Sequence, residues 1–352
     1  MSKTLMPAIF PRPVSPAHAA DHLVAARCPL FLTHEWFELL ERHGLPAGSN
    51  RNDATFGQRV LRLPLMQDGS SFHALSSYYS ADFGVQGGTA PAVEDVADLA
   101  RWLRTHGARR IELRPLHADA ALLGMLMPAL RQQAYLCDTF HVSTNWYLPC
   151  AGLCGADYLA ARPSRLANTL RRCRKRLLAE PSFRLDITTT ADSIEAALLA
   201  YAKVYAQSWK EPEAFPDFIP QLCRMTAAQG WLRLGLLYLG GEPVAAQVWF
   251  VKDGTASIYK LAYDSRFARL GVGTVLTAAL AEHVLDVDKV CEIDFLTGDD
   301  AYKAEWMTHS RPLVGMIAFD ARSVSGLLHA ALHFGRRWLR RFKPAPSTTN
   351  ER

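Results

Sequence analysis

Residues 232–274 read LRLGLLYLGGEPVAAQVWFVKDGTASIYKLAYDSRFARLGVGT. Three apolar runs stand out: Leu232–Leu239, Val244–Val251 and Ala256–Tyr263. Gly240-Gly241 separates the first two, and Asp253-Gly254 the second two. Asp-Gly and Gly-Gly tolerate the positive φ that tight hairpin turns need, so the stretch predicts a three-stranded antiparallel meander. A loop with Gly271 and Gly273 one residue apart follows, then a helix over Thr274–Leu285 and a strand over Val290–Phe295. This order predicts a mixed α/β fold whose sheet is mostly antiparallel and flanked by helices.

Outward from this stretch the pattern continues in both directions. Upstream, apolar periodicity predicts helices at His34–Arg42, Val93–Thr105 and Ala120–Gln133, and strands at Arg59–Leu65, Phe72–Tyr79, Arg110–Leu113 and Thr139–Leu148. A very basic helix is expected from Ser164 to about Leu178, and a longer one over Ile194–Trp209. A last strand, Leu313–Phe319, and a basic apolar helix over 327–343 complete the chain. Arg110–Leu116 matches Val290–Leu296 in pattern, and Tyr79-x-x-x-Phe83 matches Tyr263-x-x-x-Phe267 at nearly the same offset. A duplicated α/β unit is the most economical architecture. The expected divisions are a proline-spaced tail (1–27), an N-terminal half (28–150), a C-terminal half (151–325) and a basic amphipathic helix with its tail (326–352).

Composition limits the function classes. The 352 residues carry 39 Lys+Arg against 34 Asp+Glu, a charge of +5, with 49% hydrophobic residues. That balance excludes intrinsic disorder, and the charge excess is too small to indicate DNA binding. The seven cysteines include no Cys-x-x-Cys pair and no metal-ligand spacing, so free thiols in a reducing cytoplasm are expected, with no metal. No stretch approaches the about 18 apolar residues of a membrane span. Pro7, Pro11, Pro13 and Pro16 interrupt the N-terminal apolar patch, so a secretory signal is not expected.

The loop Arg266, Phe267, Ala268, Arg269, Leu270, Gly271, Val272, Gly273, Thr274 is the first candidate site. A helix N-terminus presents unpaired N–H groups and partial positive charge, and glycines let phosphate oxygens approach the backbone. The alternative is an ordinary tight turn.

Strands, glycine loop, helix and strand in this order resemble the GNAT acyltransferase fold. Tyr259-Lys260-Leu261-Ala262-Tyr263-Asp264 together with Asp294-Phe295-Leu296-Thr297-Gly298-Asp299-Asp300-Ala301-Tyr302-Lys303 resembles its FemAB-like and CelD-like branch, the cellulose- or exopolysaccharide-associated acetyltransferases. The likeness covers about residues 160–310, and Phe31–Trp36 and Ser80–Gly84 resemble that branch's N-terminal half. It implies tandem GNAT-like halves and acyl-CoA, acetyl or longer, as cosubstrate, with its pyrophosphate on Arg266, Arg269, Leu270, Gly271, Val272, Gly273 and Thr274. Ala268 stands where the family's loop has Arg or Gln, and Arg269 falls one place late.

Strand alternation sets Glu292 and Asp294 on one face and Ile293 and Phe295 on the other. Asp294 or Asp299 is the expected proton acceptor, and Tyr302 the donor to a departing thiolate; Asp299 and Asp300 serve equally well as helix caps. Lys303, Tyr259 and Arg172 are the expected acceptor-binding residues, Arg172 lying on a helix with six cations between Arg165 and Arg176. These readings predict an acyltransferase acting on an amine or hydroxyl of a cell-surface glycan or lipid-linked sugar. The alternatives are an aminoacyl-tRNA-dependent transferase acting on a peptidoglycan precursor, or a non-catalytic module of a polysaccharide assembly system. Residues 327–343 combine Trp338, Phe334 and leucines with arginines, as at an anionic membrane surface or on an ordinary docked helix.

Overall fold

A computed structural model describes residues 28–340. The proline-spaced tail and the end of the basic terminal helix lie outside the described residues.

The N-terminal half contains α1 (His34–His43), β1 (Ala54–Phe56), β2 (Leu61–Leu63), β3 (Leu65–Asp68), β4 (Ser71–Ala74), α2 (Val93–Thr105), β5 (Arg110–His117), α3 (Ala121–Gln132) and β6 (Tyr135–Pro149). The C-terminal half contains α4 (Gly155–Ala160), α5 (Ser164–Leu178), β7 (Arg184–Thr188), α6 (Ile194–Ala206), α7 (Phe218–Ala228), β8 (Leu232–Leu239), β9 (Glu242–Lys252), β10 (Thr255–Tyr263), α8 (Val272–Asp286), β11 (Glu292–Thr297), α9 (Lys303–Trp306) and β12 (His309–Asp320). Helix α10 (Val324–Arg340) follows.

The meander forms as its turns predict. Gly240 and Gly241 have φ of 59° and 80°, and Asp253 and Gly254 have 48° and 77°, the doubly positive pattern that matches strand twist. Strand β9 is buried along most of its length because helices cover both of its faces. Gly235 on β8 lets α8 approach closely: a Cβ there would meet Leu280 at 2.8 Å.

Among the described residues ten strands form one sheet, in the order β3-β4-β5-β12-β6-β11-β10-β9-β8-β7. The two halves exchange their last strands. β12 pairs with β5 of the N-terminal half, β6 pairs with β11 of the C-terminal half, and β12 pairs along its whole length with Tyr135–Tyr147 of β6. Each half also holds one short parallel contact: Ser71–His73 with Arg110–Glu112, and Thr255–Ser257 with Glu292–Asp294. The order β4-β5-β12-β6-β11-β10 is therefore symmetric about the β6–β12 pair. The two stretches with matching sequence patterns are β5 and β11, which occupy equivalent places. The exchange joins the halves into one sheet.

Two large cores lie on the helices. One joins α1, α2, α3, α6 and α7. The other joins α4, α5 and α8, with Trp249, Ile293 and Phe295 from the sheet. The predicted strand Phe72–Tyr79 ends at Ala74, and Tyr79 instead stacks on Phe218 with ring centroids 4.0 Å apart. Strand β7 and helix α7 were not expected from periodicity.

Candidate active site

Strands β10 and β11 are hydrogen-bonded neighbours over three residue pairs only and then separate. Each carries an irregularity where the wedge opens. In β10 the register with β9 shifts between Ile258 and Lys260. In β11 the pairing with β6 skips from Asp294 to Thr297, and Leu296 between them has a φ of 57°. The N–H of Leu296 donates to Asp294 Oδ1 at 2.6 Å, which holds this bend.

Two cavities meet at the wedge. The larger, about 460 Å³, runs along the start of α8 between Gly273, Thr274, Tyr263 and Trp209. The smaller, about 240 Å³, lies between Tyr79, Lys260 and Thr297. Lys210, Leu261 and Tyr302 line both. Gly271 is the α8 N-cap in the left-handed conformation, with φ 68°, and a Cβ on it would meet Cys173 Sγ at 2.6 Å. Only glycine suits this position. Gln247 fixes the helix start: its Nε2 donates to the Gly273 carbonyl at 3.0 Å and to Thr277 Oγ1 at 2.8 Å. The first-turn N–H groups of α8 have no intrahelical acceptor, and the cavity opens onto two residues of that turn.

A buried charged network lies beside the smaller cavity. Lys260 Nζ donates to Glu213 Oε1 at 2.7 Å, Tyr205 donates to the same oxygen at 2.9 Å, and Tyr79 donates to Oε2 at 3.0 Å. Burial alone would raise the Glu213 carboxyl, but the bonds from Lys260 and the two phenols hold it below its ordinary range. Burial and the Glu213 charge push both phenols up. Lys210, within this wall, is pushed down by burial and by the Lys260 cation. Tyr302 is pushed up to about 12, by burial first and by Asp300 second, so it stays protonated at neutral pH.

The residues expected from sequence divide into groups. Gly273, Thr274 and Tyr302 line the larger cavity. Val272 is fully buried and Leu270 packs in the core beneath the loop. Arg266 turns back to Asp264 at 2.6 Å, and the Arg269 carbonyl accepts from Arg176 at 3.2 Å; both arginines are exposed, and neither lines the cavity. Asp294 faces a separate cavity of about 250 Å³ shared with Asp82, His117 and Arg311. There it accepts from Asn145 and pairs with Arg311 at 2.9 Å. Asp299 accepts from the Trp146 indole at 3.0 Å. Lys303 is buried and donates to the Thr297 carbonyl at 2.6 Å, which folds the loop before α9. No side chain caps α9. The Tyr259 phenol donates to the Tyr79 carbonyl at 3.0 Å and its ring packs among aromatics. Arg172 is exposed on α5, away from these three cavities.

Lys210, Glu213 and Gln247 were not found from sequence. Lys210-Glu211-Pro212-Glu213 reads as a loop after α6, and only its burial against β10 reveals it. Among the described residues no group of three or more His, Cys, Asp or Glu side chains is arranged to hold a metal ion.

Residues 164–304 match a family model described as an acetyltransferase (GNAT) domain. Among curated proteins, no sequence matches the chain. Several solved structures share the fold at low identity. FemX is 10% identical with a TM-score of 0.58, over 84% of this chain and 92% of that one. L-PGS from Bacillus licheniformis is 11% identical with a TM-score of 0.52, over 92% and 100%. The C-terminal domain of a putative lysylphosphatidylglycerol synthetase from Agrobacterium fabrum is 12% identical with a TM-score of 0.51, over 83% and 88%.

Proposed function

We propose that the chain, whose residues 164–304 match an acetyltransferase (GNAT) domain, is an acyltransferase that moves an acyl group from acyl-CoA, acetyl or longer, to an amine or hydroxyl of a cell-surface glycan precursor or lipid-linked sugar. The observation that carries this reading is the continuity of the α8 cavity with the wedge through Lys210, Leu261 and Tyr302. A diphosphate at the α8 N-terminus would gain from the first-turn N–H groups, and Arg266 and Arg269 in the loop before that helix are proposed to add charge. The pantetheine arm would follow the apolar wall of Leu261 and Trp209, bringing the thioester to Tyr302.

In this reading the acceptor nitrogen or oxygen attacks the thioester carbonyl, the C–S bond breaks, and the phenol of Tyr302 gives its proton to the departing thiolate. The acceptor's proton passes to a carboxylate. Asp294 is the proposed acceptor of that proton, supported by its neighbour Leu296, which lines both the smaller wedge cavity and the Asp294 cavity. Asp299 and Lys303 are proposed to shape the loop that carries Tyr302. Arg172 and its exposed neighbours on α5 are proposed to meet an anionic part of the acceptor.

The exposed cations of α5 also favour a second reading, in which the acyl donor is an aminoacyl-tRNA and the acceptor a peptidoglycan precursor. Calorimetric titration with acetyl-CoA and with longer acyl-CoAs separates the two. Micromolar binding supports the first reading, whereas no acyl-CoA binding together with salt-sensitive tRNA binding supports the second. No binding of either donor would leave a non-catalytic module.

A further inference from the structure

Helix α10 faces the wrong way for a helix that simply covers a core. Such a helix turns its apolar stripe inward. In α10 the inward stripe is small and polar: Gly326, Ala330, His333 and Arg337, spaced four, three and four residues apart. Ala330 is 3% exposed, His333 bonds Asp138 at 2.9 Å, and Arg337 pairs with the same carboxylate. A Cβ on Gly326 would meet the Asp320 carbonyl at 2.2 Å, so the helix start lies tight against β12. The opposite stripe is apolar and exposed: Val324 at 85%, Leu328 at 60%, Leu332 at 50% and Leu339 at 58%. Exposing one such side chain is ordinary, but an apolar stripe along about four turns, broken only at Gly335, marks a contact surface.

Charge identifies what the stripe meets. Residues 324–340 contain Arg336, Arg337 and Arg340 and no Asp or Glu. A groove of about 540 Å³ beside the helix is lined by Leu332 and Arg336; its other charges are internally paired, Arg110 with Glu112 at 2.6 Å and Asp138 with His333 and Arg337, which leaves Arg336 as the cation beside the stripe. A second copy of the chain packed helix to helix on this face would set Arg336 against its own kind, with no acidic residue in the helix to answer it. An acidic bilayer supplies both missing parts, an apolar boundary for the leucines and phosphates for Arg336.

We propose that α10 is a bilayer-docking helix, lying in the surface of an acidic phospholipid membrane with Leu328, Leu332 and Leu339 immersed and Arg336 at the phosphates. This extends the reading of a lipid-linked acceptor, but it is measured without substrate or acyl donor, so its failure is distinct from failure of the acyltransferase assignment. The attachment is peripheral and reversible, since one amphipathic helix holds a protein far less tightly than a span.

The test is sedimentation of the full chain with vesicles of phosphatidylcholine alone and of equimolar phosphatidylcholine and phosphatidylglycerol, at low and high salt. The wild type is expected to pellet with the acidic vesicles, less so at high salt, and to remain free of the neutral ones. Leu328→Glu with Leu332→Glu should lower the partition coefficient about tenfold or more, and Arg336→Glu should lower it on acidic vesicles. These positions are exposed, so thermal unfolding should be unchanged. No pelleting with acidic vesicles overturns the proposal, as does equal pelleting with both. A dimer in analytical ultracentrifugation that Leu328→Glu with Leu332→Glu dissolves would assign the stripe to a second copy instead.

Discussion

Lys260 Nζ lies 2.7 Å from Glu213 Oε1, and both side chains are about one-tenth exposed. The pair ties the loop after α6 to β10 at the level where β10 leaves β11. A buried pair with good geometry adds little compared with an apolar substitute, yet removing one partner strands the other charge. Glu213→Gln should therefore destabilise the protein by about 3–5 kcal/mol in urea unfolding. Glu213→Gln combined with Lys260→Met should recover much of that loss, and an equal or larger loss in the double variant would contradict the pairing.

The same carboxyl predicts a pH dependence. Glu213 is held below its ordinary range in the folded protein. A depressed carboxyl contributes its full stability above the unfolded value, about 4.3, and loses it as pH falls through the folded value. Between pH 7 and 3 the wild type should lose more stability than Glu213→Gln. Parallel unfolding curves over that range would remove Glu213 as a source of the acid sensitivity.

Tyr302 stays protonated at neutral pH, as a proton donor must. Tyr302→Phe removes only the hydroxyl from the cavity junction. Turnover should fall by roughly 10²–10⁴-fold with acyl-CoA affinity little changed. Near-normal turnover in the folded variant would return Tyr302 to packing against Phe295.

Asp294→Asn carries two expected effects. Arg311 keeps Glu292 at 3.0 Å but loses its second carboxylate, so stability should fall by about 1–3 kcal/mol. If Asp294 also accepts the acceptor's proton, turnover should fall about as far as for Tyr302→Phe. A loss of stability with turnover intact would confine Asp294 to holding Leu296 and Asn145.

Much of the fold was legible because its signals are local. Asp253-Gly254 sets a turn, and Val93–Thr105 shows its apolar period without help from the rest of the chain. The equivalence of β5 and β11 was visible in their shared pattern. The strand exchange was not, because pairing β12 with β5 depends on contacts between residues about 200 apart, such as Phe319 and Arg110. The same contrast between local and distant signals holds at the candidate site. Gly271, Gly273 and Tyr302 lie in one short stretch with known neighbours. Glu213 and Lys210 acquire meaning only when their loop folds onto β10. Nor does sequence show that the Lys303 ammonium group is engaged by the Thr297 carbonyl.

The central claim is that an acyl-CoA enters along α8 and delivers its thioester into the wedge. Gly273 faces that path, and a Cβ there would already touch the Tyr263 ring at 3.0 Å, so a valine must project into the cavity. Calorimetric titration of acetyl-CoA into the wild type and Gly273→Val tests this most directly. The account predicts saturable binding to the wild type, at least tenfold weaker in a Gly273→Val protein that still unfolds cooperatively, a difference of about 1.4 kcal/mol or more. Equal affinity in the two folded proteins would contradict it.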